Sequence, residues 1–432
     1  MKKLLSILLV AILALSLCSA ALADDQPIEI LFWTTRSSGA QATVVNHEVD
    51  TFNETIGKEK GIHVTHEAQA GYPEIWAAFS TASGTVAPDV VALGNTYIPY
   101  ALDEDMLADV TGMEGAEELR ANLMSWVLDI AGNKDGELHS FPYIRSTPVL
   151  YYNKDIADEL GIEIPEQITI EQLEEFGSKA AQYDANGVAT RYGFELLQDF
   201  GYYNAAWIYQ LGSQYLAEEG GSPALEDGTM LKVLSDWRKW IDEGWCRPFD
   251  GQKAAGALSE FTAGRLASYI NSCSAMAGIV KAAAEAGITL GVAMFPTYDV
   301  NNHVAEIGGA NVAIVKKDDA TVAAAWEFVK YLMSDDAQYF NAINTGYCPC
   351  TLTVAENADM QKFWEENPTF KVPFNQLLNA GRGQEIPALA RAQDFTKACE
   401  VVAGKVIQSK ESTPEQGVEE LKMEESYIDW EE

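Results

Sequence analysis

The stretch Phe141-Pro142-Tyr143-Ile144-Arg145-Ser146-Thr147-Pro148-Val149-Leu150-Tyr151-Tyr152-Asn153-Lys154-Asp155 decides the predicted fold. Pro142 and Pro148 lack a backbone N–H and hold φ near about −65°, so they bracket an extended segment that interrupts a continuous sheet. Three side chains that can donate hydrogen bonds lie between them, at positions 145–147. The apolar run 149–152 then predicts a short buried strand. The residues alone leave two interpretations open: a hinge strand between two domains, or an ordinary loop between two strands.

Length and charge limit the class of protein. A chain of 432 residues with 47% hydrophobic residues predicts two or three globular domains. The formal net charge is −35, from 29 basic and 64 acidic residues. Such an acidic chain is excluded as a nucleic-acid-binding protein, because phosphate backbones require a basic surface.

Residues 1–23 have the pattern of a secretory signal. Lys2 and Lys3 precede an apolar run at 4–17, and small residues occupy positions 21 and 23 before an acidic pair. We expect cleavage near Ala23 and secretion to the periplasm or the outer cell surface. Lipid attachment at Cys18 is the alternative, and the large Leu17 before it argues against lipidation.

Five cysteines follow the predicted signal, at positions 246, 273, 348, 350 and 399. An odd number in a chain of this size does not indicate a disulfide framework. We interpret these side chains as small buried hydrophobes, and we predict neither a metal site nor a cofactor.

Alternating strands and helices predict a mostly parallel sheet that is covered on both faces. Strands are predicted at 28–33, 61–68 and 87–93, and Trp33 and Asn95 lie at the carboxyl ends of two of them. Ligands bind outside these ends in open α/β sheets. A helix is predicted over 199–216, where Trp207 is interpreted as core rather than as a sugar-stacking residue.

The segment "SFPYIRSTPVLYYNKD" at 140–155 resembles the first inter-lobe crossing of family 1 extracellular solute-binding proteins, which serve ABC importers. The likeness is closest to the glycerol-3-phosphate-binding branch. Similar family segments are "FTAGRLASYINSCSAMAGI", the run from "GGANVAIVKKDD" to "SDDAQ", and "NTGYCPC". The resemblance implies a periplasmic-binding-protein-like type II fold, with two discontinuous α/β lobes joined by three hinge crossings. The implied division is lobe 1 at 24–143 and 308–346, and lobe 2 at 144–307 and 347–432.

The candidate ligand-binding residues come from two sources. The resemblance implies Tyr72, Ser146, Ser272 or Ser274, Gly308 or Gly309, Tyr347, and either Arg382 or Arg391. The strand-end argument adds Trp33 and Asn95.

Two departures from the glycerol-3-phosphate-binding branch bear on the ligand. Its acidic residue is absent near 92–95, and its tryptophans are absent from 193–199. We therefore expect a carbohydrate, either a mono- or an oligosaccharide or a related polyol, that a monomeric binding protein delivers to a membrane permease. A glycerol-3-phosphate or glycerophosphodiester ligand is the alternative. A secreted glycosidase and an adhesive surface protein are the rival classes, and no residue pattern marks a catalytic carboxylate pair.

Overall fold

The computed structural model describes residues 26–82, 84–128, 136–248, 253–379, 389 and 391–430. Twelve strands occur in this part of the chain. They are β1 (Ile28–Thr34), β2 (Ile62–Ala68), β3 (Val90–Gly94), β4 (Ser140–Ser146), β5 (Pro148–Asn153), β6 (Gln182–Tyr183), β7 (Ala189–Arg191), β8 (Phe194–Leu196), β9 (Cys246–Pro248), β10 (Ser268–Ser272), β11 (Leu290–Met294) and β12 (Gly308–Ile314).

Helices separate most of these strands. Before β7 they are α1 (Gly39–Phe52), α2 (Lys58–Lys60), α3 (Tyr72–Phe79), α4 (Ile98–Asp103), α5 (Ala116–Ala121), α6 (Ser125–Leu128), α7 (Lys154–Leu160) and α8 (Ile170–Ala180). Between β8 and β12 they are α9 (Ala205–Gln210), α10 (Pro223–Glu226), α11 (Thr229–Asp242), α12 (Lys253–Thr262) and α13 (Met276–Glu285). After β12 they are α14 (Asp319–Leu332), α15 (Asp335–Thr345), α16 (Leu352–Glu356), α17 (Ala358–Glu366), α18 (Val372–Asn379), α19 (Ala392–Ile407) and α20 (Pro414–Glu425).

The first sheet has the strand order β2-β1-β3-β12-β4. β1 is parallel to β2 and β3, whereas β12 is antiparallel to both of its neighbours. Four of the five strands therefore run in one direction, which confirms a mostly parallel sheet. Apolar side chains alternate between its two faces, because successive side chains of a strand point to opposite sides. One face packs on α1 and α14, and the other packs on α3 and α4.

The second sheet has the strand order β11-β5-β10-β8-β9. β5 lies between β10 and β11 and is antiparallel to both, while β8 is parallel to β9 and β10. Its core is rich in tryptophan, and α19 and α20 pack on α11 beside it. We call the part of the chain built on the first sheet lobe 1, and the part built on the second sheet lobe 2.

The chain passes between the two sheets at 147, because β4 ends at Ser146 in lobe 1 and β5 begins at Pro148 in lobe 2. It returns to lobe 1 between β11 and β12. A third passage follows α15, which packs on α1, and leads to α18, which packs on β5 and β11. Each lobe is therefore discontinuous in sequence, and the predicted α/β class with two discontinuous lobes is confirmed.

The helix predicted around Trp207 is shorter in the structure. The helix predicted at 199–216 is present only as α9, because 199–204 form a turn in which Asn204 Oδ1 accepts a hydrogen bond from Asp199 N at 2.7 Å. Trp207 is fully buried and packs against Trp237, Trp240 and Phe295. Its interpretation as a core residue is confirmed. No helix in the described ranges is both long and apolar enough to cross a membrane.

A buried ion pair lies between α1 and the loop that follows β1. Arg36 Nη1 donates to Glu48 Oε2 at 3.0 Å, and Arg36 Nη2 donates to Asn341 Oδ1 at 2.9 Å. The Tyr143 hydroxyl from β4 contacts both charged groups. The network therefore joins the loop after β1, helix α1, strand β4 and helix α15.

His66 lies next to this network, with its Nε2 at 2.7 Å from Thr34 Oγ1. Burial and, to a smaller extent, the nearby positive charge of Arg36 together lower the pKa of His66 to about 4. The folded chain consequently holds His66 in its neutral form.

Replacement of Trp207 by alanine should lower the free energy of unfolding by about 3–5 kcal/mol, since a large buried side chain is lost and a cavity remains. Urea denaturation followed by circular dichroism measures this change. The matched control is Tyr427→Ala, which removes a largely exposed ring and should change stability by less than about 0.5 kcal/mol. Similar losses in the two variants would contradict the assignment of Trp207 to the core.

The free energy of unfolding should also depend on pH through His66. An unfolded histidine has a pKa of about 6.5, so protons bind more readily to the unfolded chain. The stability associated with neutral His66 is complete above about pH 6.5 and is lost as the pH falls towards about 4. In urea titrations at several pH values, His66→Gln should lose less stability than the parent over this window. An identical pH slope in both proteins would contradict this expectation.

Candidate functional site

The ends of several strands meet at one edge of the first sheet. β3 ends at Gly94 and β4 ends at Ser146. β12 runs in the opposite direction, so its first residue, Gly308, pairs with Ser146 at the same edge. This edge faces the passage from β4 to β5, and polar side chains from the loops after β1 and β3 surround it.

Lobe 2 contributes the end of β10. Ser272 pairs with Pro148, the first residue of β5, and therefore lies beside the crossing. Its hydroxyl caps the turn before α13 by accepting a hydrogen bond from Ser274 N at 3.3 Å. The cap holds both serine side chains at the start of the helix, where backbone N–H groups lack partners within the helix.

A cavity of about 370 Å³ lies between these two edges. This volume is within the range of small-molecule sites. Both lobes and the loops between them line it, with residues Thr35, Tyr72, Gly94, Asn95, Thr96, Ser146, Gly201, Tyr202, Ser272, Ser274, Glu306, Ile307, Gly308, Gly309 and Tyr347.

A chain of hydroxyl groups runs along one wall of the cavity. The Tyr202 hydroxyl is 2.9 Å from Ser146 Oγ and 3.1 Å from Ser272 Oγ. Ser272 Oγ is 2.9 Å from Ser274 Oγ, and Ser274 hydrogen-bonds the Tyr347 side chain. Each hydroxyl can both donate and accept, so the wall can adapt its hydrogen bonds to a ligand.

The Tyr202 ring approaches the backbone at the start of β12. A Cβ on Gly308 would lie 2.4 Å from Tyr202 Cε2, so a side chain at this position would displace the ring. The absence of a side chain at Gly308 therefore allows the Tyr202 hydroxyl to lie between those of Ser146 and Ser272. The ring also makes an edge-to-face contact with Tyr203, at 4.7 Å between centroids.

The three tyrosines of the lining remain uncharged. Burial raises the pKa of Tyr72, of Tyr202 and of Tyr347 above the ordinary value of a phenol. Their hydroxyls therefore act as neutral donors and acceptors at physiological pH. Asn95 adds an amide whose Oδ1 is buried without a hydrogen-bond partner in the described part of the chain.

Glu306 is the one charged side chain among the described residues that line the cavity. It is buried, with 3% of its surface exposed. Two arginines lie behind the lining without being part of it. Arg36 binds Glu48, and Arg145 donates to the Ile144 carbonyl at 3.0 Å as well as to Asn311.

The structure brings together most of the residues that the sequence singled out. Eight of them line the cavity: Tyr72, Asn95, Ser146, Ser272, Ser274, Gly308, Gly309 and Tyr347. Three others do not belong to the described lining. Trp33 packs against Ile75 and Leu93, and its Nε1 donates to Glu67 at 3.1 Å. Arg391 pairs with Asp394 outside the cavity, and Arg382 lies outside the described residues.

The position of Trp33 follows from strand alternation. Phe32 and Trp33 point to opposite faces of the first sheet, and Trp33 points towards the face covered by α3. The polar group that reaches the cavity comes from Thr35, beyond the end of β1. The strand-end argument therefore selected Trp33 within β1, whereas the described lining contains Thr35, two residues further along the chain.

Sequence reasoning missed some residues of the lining. Thr35, Gly94 and Thr96 lie at the same strand ends as the residues it named, so the strand-end argument could have included them. Tyr202 was assigned to a helix, whereas it lies in the turn before α9. Glu306 lies two residues before Gly308, and no sequence pattern marked its burial.

Comparisons with known structures agree with this architecture. UgpB of Mycobacterium tuberculosis in complex with glycerophosphocholine superposes with a TM-score of 0.75 at 20% identity, covering 93% of this chain and 98% of that one. The acarbose receptor GacH of Streptomyces glaucescens gives a TM-score of 0.76 at 18% identity, covering 93% and 97%. These likenesses establish the fold.

Sequence comparisons identify curated relatives. The sn-glycerol-3-phosphate-binding periplasmic protein UgpB of Yersinia pestis is 31% identical over 263 residues, which are 57% of this chain and 56% of that protein. The chain thus matches a little over half the length of this relative. The protein of the same name from Brucella abortus is 26% identical over 384 residues, covering 85% of this chain and 84% of the relative.

A family model for bacterial extracellular solute-binding proteins matches residues 49–372. Those residues include the first two passages between the lobes and most of the cavity lining. The family suggested by the segment at 140–155 is therefore confirmed: the chain belongs to the bacterial extracellular solute-binding proteins.

Proposed function

We propose that this protein captures an uncharged, polyhydroxylated solute, a carbohydrate or a related polyol, and delivers it to the membrane permease of an ABC importer. The chain of hydroxyls from Ser146 through Tyr202 and Ser272 to Ser274 carries the proposal. It lies in the cavity between the two lobes and combines neutral donors and acceptors from separate segments. The protein binds its solute without breaking a bond.

The composition of the lining suits a sugar. A hydroxyl-rich ligand needs several convergent neutral donors and acceptors, together with apolar faces for its C–H groups. The serines and Asn95 supply the polar groups, and the rings of Tyr72, Tyr202 and Tyr347 supply the faces. We propose that the eight sequence-predicted residues of the lining contact the ligand directly.

The cavity lies between the two lobes, so movement of the lobes towards each other would enclose a bound ligand. Ser146 ends the last strand of lobe 1 before the first passage, and Gly308 begins the strand that follows the second. A ligand that contacts both lobes stabilises the closed arrangement through contacts that the open one lacks. We propose that the two lobes rotate about these passages. The division expected from the sequence, 24–143 with 308–346 and 144–307 with 347–432, then moves at its first boundary from 143 to 146, because β4 belongs to the first sheet up to Ser146.

A phosphorylated polyol is the second candidate ligand, because the UgpB relatives from Yersinia pestis and Brucella abortus are named as sn-glycerol-3-phosphate-binding proteins. The charges of the cavity favour the neutral candidate. Its described lining includes the carboxylate of Glu306 and no arginine or lysine. A phosphate group in a partly desolvated site needs a positively charged partner, and the described lining supplies none.

A second cavity of about 420 Å³ adjoins the first and shares Thr35 and Ser274 with it. Its other walls come from the start of α1, from Leu258 and Asn271, and from α13. The two cavities together provide space for a ligand longer than one sugar ring. Both a monosaccharide and an oligosaccharide therefore belong in a binding test.

We propose that the protein acts outside the cytoplasm as a monomer, released by cleavage near Ala23. The family of extracellular solute-binding proteins supports this location. Lipid attachment at Cys18 would instead tether it to the outer surface. The permease is the proposed macromolecular partner, as expected for a binding protein of an ABC importer.

A thermal-shift screen tests the proposed function. The panel contains monosaccharides, disaccharides, maltotriose, glycerol, sn-glycerol-3-phosphate and glycerophosphocholine. We expect a saturable rise in melting temperature with at least one neutral sugar or polyol and none with the phosphorylated compounds. Chromatography after overnight incubation should recover the ligand unchanged. A shift with phosphorylated compounds alone would contradict the neutral ligand, and new products would indicate an enzyme.

Replacement of Ser146 by alanine should weaken binding of the sugar or polyol found in that screen by about 1–2 kcal/mol, because a buried hydrogen-bond partner is removed. Isothermal titration calorimetry measures the loss. Ser178→Ala on α8, away from the cavity, is the matched control and should bind as the parent does. Equal affinity of Ser146→Ala and the parent would remove Ser146 from the site.

A further inference from the structure

Five cysteines lie in the described part of the chain, and all are buried free thiols. Two of them directly follow residues that line the ligand cavity. Cys273 lies between Ser272 and Ser274, and Cys348 follows Tyr347. Any covalent change at these two thiols would therefore act on the walls of the cavity.

The same crossing segment holds both cysteines in place. Cys348 N donates to the Arg145 carbonyl at 2.8 Å, and Cys273 N donates to the Thr147 carbonyl at 3.0 Å. The Thr147 N–H in turn contacts Cys273 Sγ at 3.4 Å. The backbones of the two cysteines are therefore hydrogen-bonded to Arg145 and Thr147, the residues on either side of Ser146.

The segments that carry the two cysteines are in direct backbone contact. Gly346 has a φ of +106°, and a Cβ at this position would lie 2.3 Å from the Cys273 carbonyl oxygen. Only glycine tolerates both this conformation and this approach. Two residues later, the Cys348 thiol makes a side-chain hydrogen bond with the Cys273 thiol.

We propose that Cys273 and Cys348 form a reversible disulfide that fixes three cavity-lining segments relative to one another. The segments are those of Ser146, of Ser272 with Ser274, and of Tyr347. A disulfide requires Cα atoms within about 7 Å, which neighbouring backbones in contact can satisfy. The inference goes beyond the proposed function and does not depend on the identity of the ligand.

The oxidant is a disulfide of low molecular mass or of a thiol oxidase. One cysteine thiolate attacks a sulfur of that disulfide, forms a mixed disulfide and releases the first thiol. The second cysteine thiolate then attacks the cysteine sulfur of the mixed disulfide and releases the remaining part of the oxidant as a second thiol. Two cysteine thiols and one external disulfide thus become one protein disulfide and two external thiols, which take up the two protons.

Burial slows this exchange when the lobes are closed. It raises the pKa of the Cys348 thiol well above its ordinary value, and contact with Cys273 raises it further. Because the thiolate is the reactive form, we expect oxidation during folding or when the lobes separate. The extracellular location of the family supplies oxidising conditions.

Cys350 is the nearest competitor for Cys348. Its thiol points to the carbonyl oxygen of Cys348, with 3.6 Å between Sγ and O, rather than to a second thiol. Cys246 and Cys399 belong to the separate core of lobe 2. The expected product therefore leaves Cys246, Cys350 and Cys399 as free thiols.

The test uses the chain without residues 1–23, which contains five thiols. The protein is incubated with oxidised glutathione, with and without urea at a concentration below the unfolding transition, which weakens the burial of the thiols. Free thiols are then alkylated, and peptides are identified by mass spectrometry. We expect the thiol count to fall from five to three, with one crosslinked peptide joining 273 to 348.

Thermal melting gives a second measurement. The oxidised protein should melt several degrees higher than the reduced one, because a crosslink between distant positions restricts the unfolded chain. Dithiothreitol should reverse the difference.

Three variants act as controls. Cys350→Ala should retain the crosslink and the rise in melting temperature. Cys273→Ala and Cys348→Ala should fold, as judged by circular dichroism, and should lose both. A 348–350 link, or no loss of thiols with or without urea, would overturn the proposal.

Discussion

Thr147 is the only residue between the end of one sheet and the start of the other. Ser146 completes β4 in lobe 1, and Pro148 begins β5 in lobe 2. The rest of the site depends on this short passage. Pro148 lacks a backbone N–H and is the first residue of β5, a position at which a strand tolerates proline, whereas Pro142 lies within β4 at the edge of the first sheet. The chain therefore exchanges the partners of the first sheet for those of the second within one residue. The cavity lies where the two sheets separate.

The reversed direction of β12 has an equally large effect. In a sheet with only parallel strands, the carboxyl ends alone would line the edge. β12 instead brings its first residues, Gly308 and Gly309, to that edge, opposite Ser146 and Arg145. The close approach of Tyr202 depends on the absence of a side chain at Gly308. The hydroxyl wall is therefore a consequence of one strand direction and one glycine.

The relatives and the site give different information about the ligand. Proteins named for sn-glycerol-3-phosphate are among the sequence relatives, while sugar receptors and a glycerophosphocholine complex are among the structural ones. A shared fold does not specify which solute is bound. The charge of the lining does bear on the solute, and here its described part combines neutral hydroxyls with one buried carboxylate. This combination favours an uncharged ligand.

The sequence by itself determined the family, the α/β class and the two-lobe organisation. The α/β class follows from local chemistry, because apolar strands are followed by polar loops and helices, whereas the family and the two-lobe organisation follow from the resemblance of the segment at 140–155 and of three later segments. The tertiary structure alone decided which side chains reach the cavity. Trp33 points away from it because of strand alternation, and Tyr202 enters it because 199–204 form a turn rather than a helix. The pairing of Cys273 with Cys348 likewise depends on contacts between residues far apart in sequence, which no local pattern specifies.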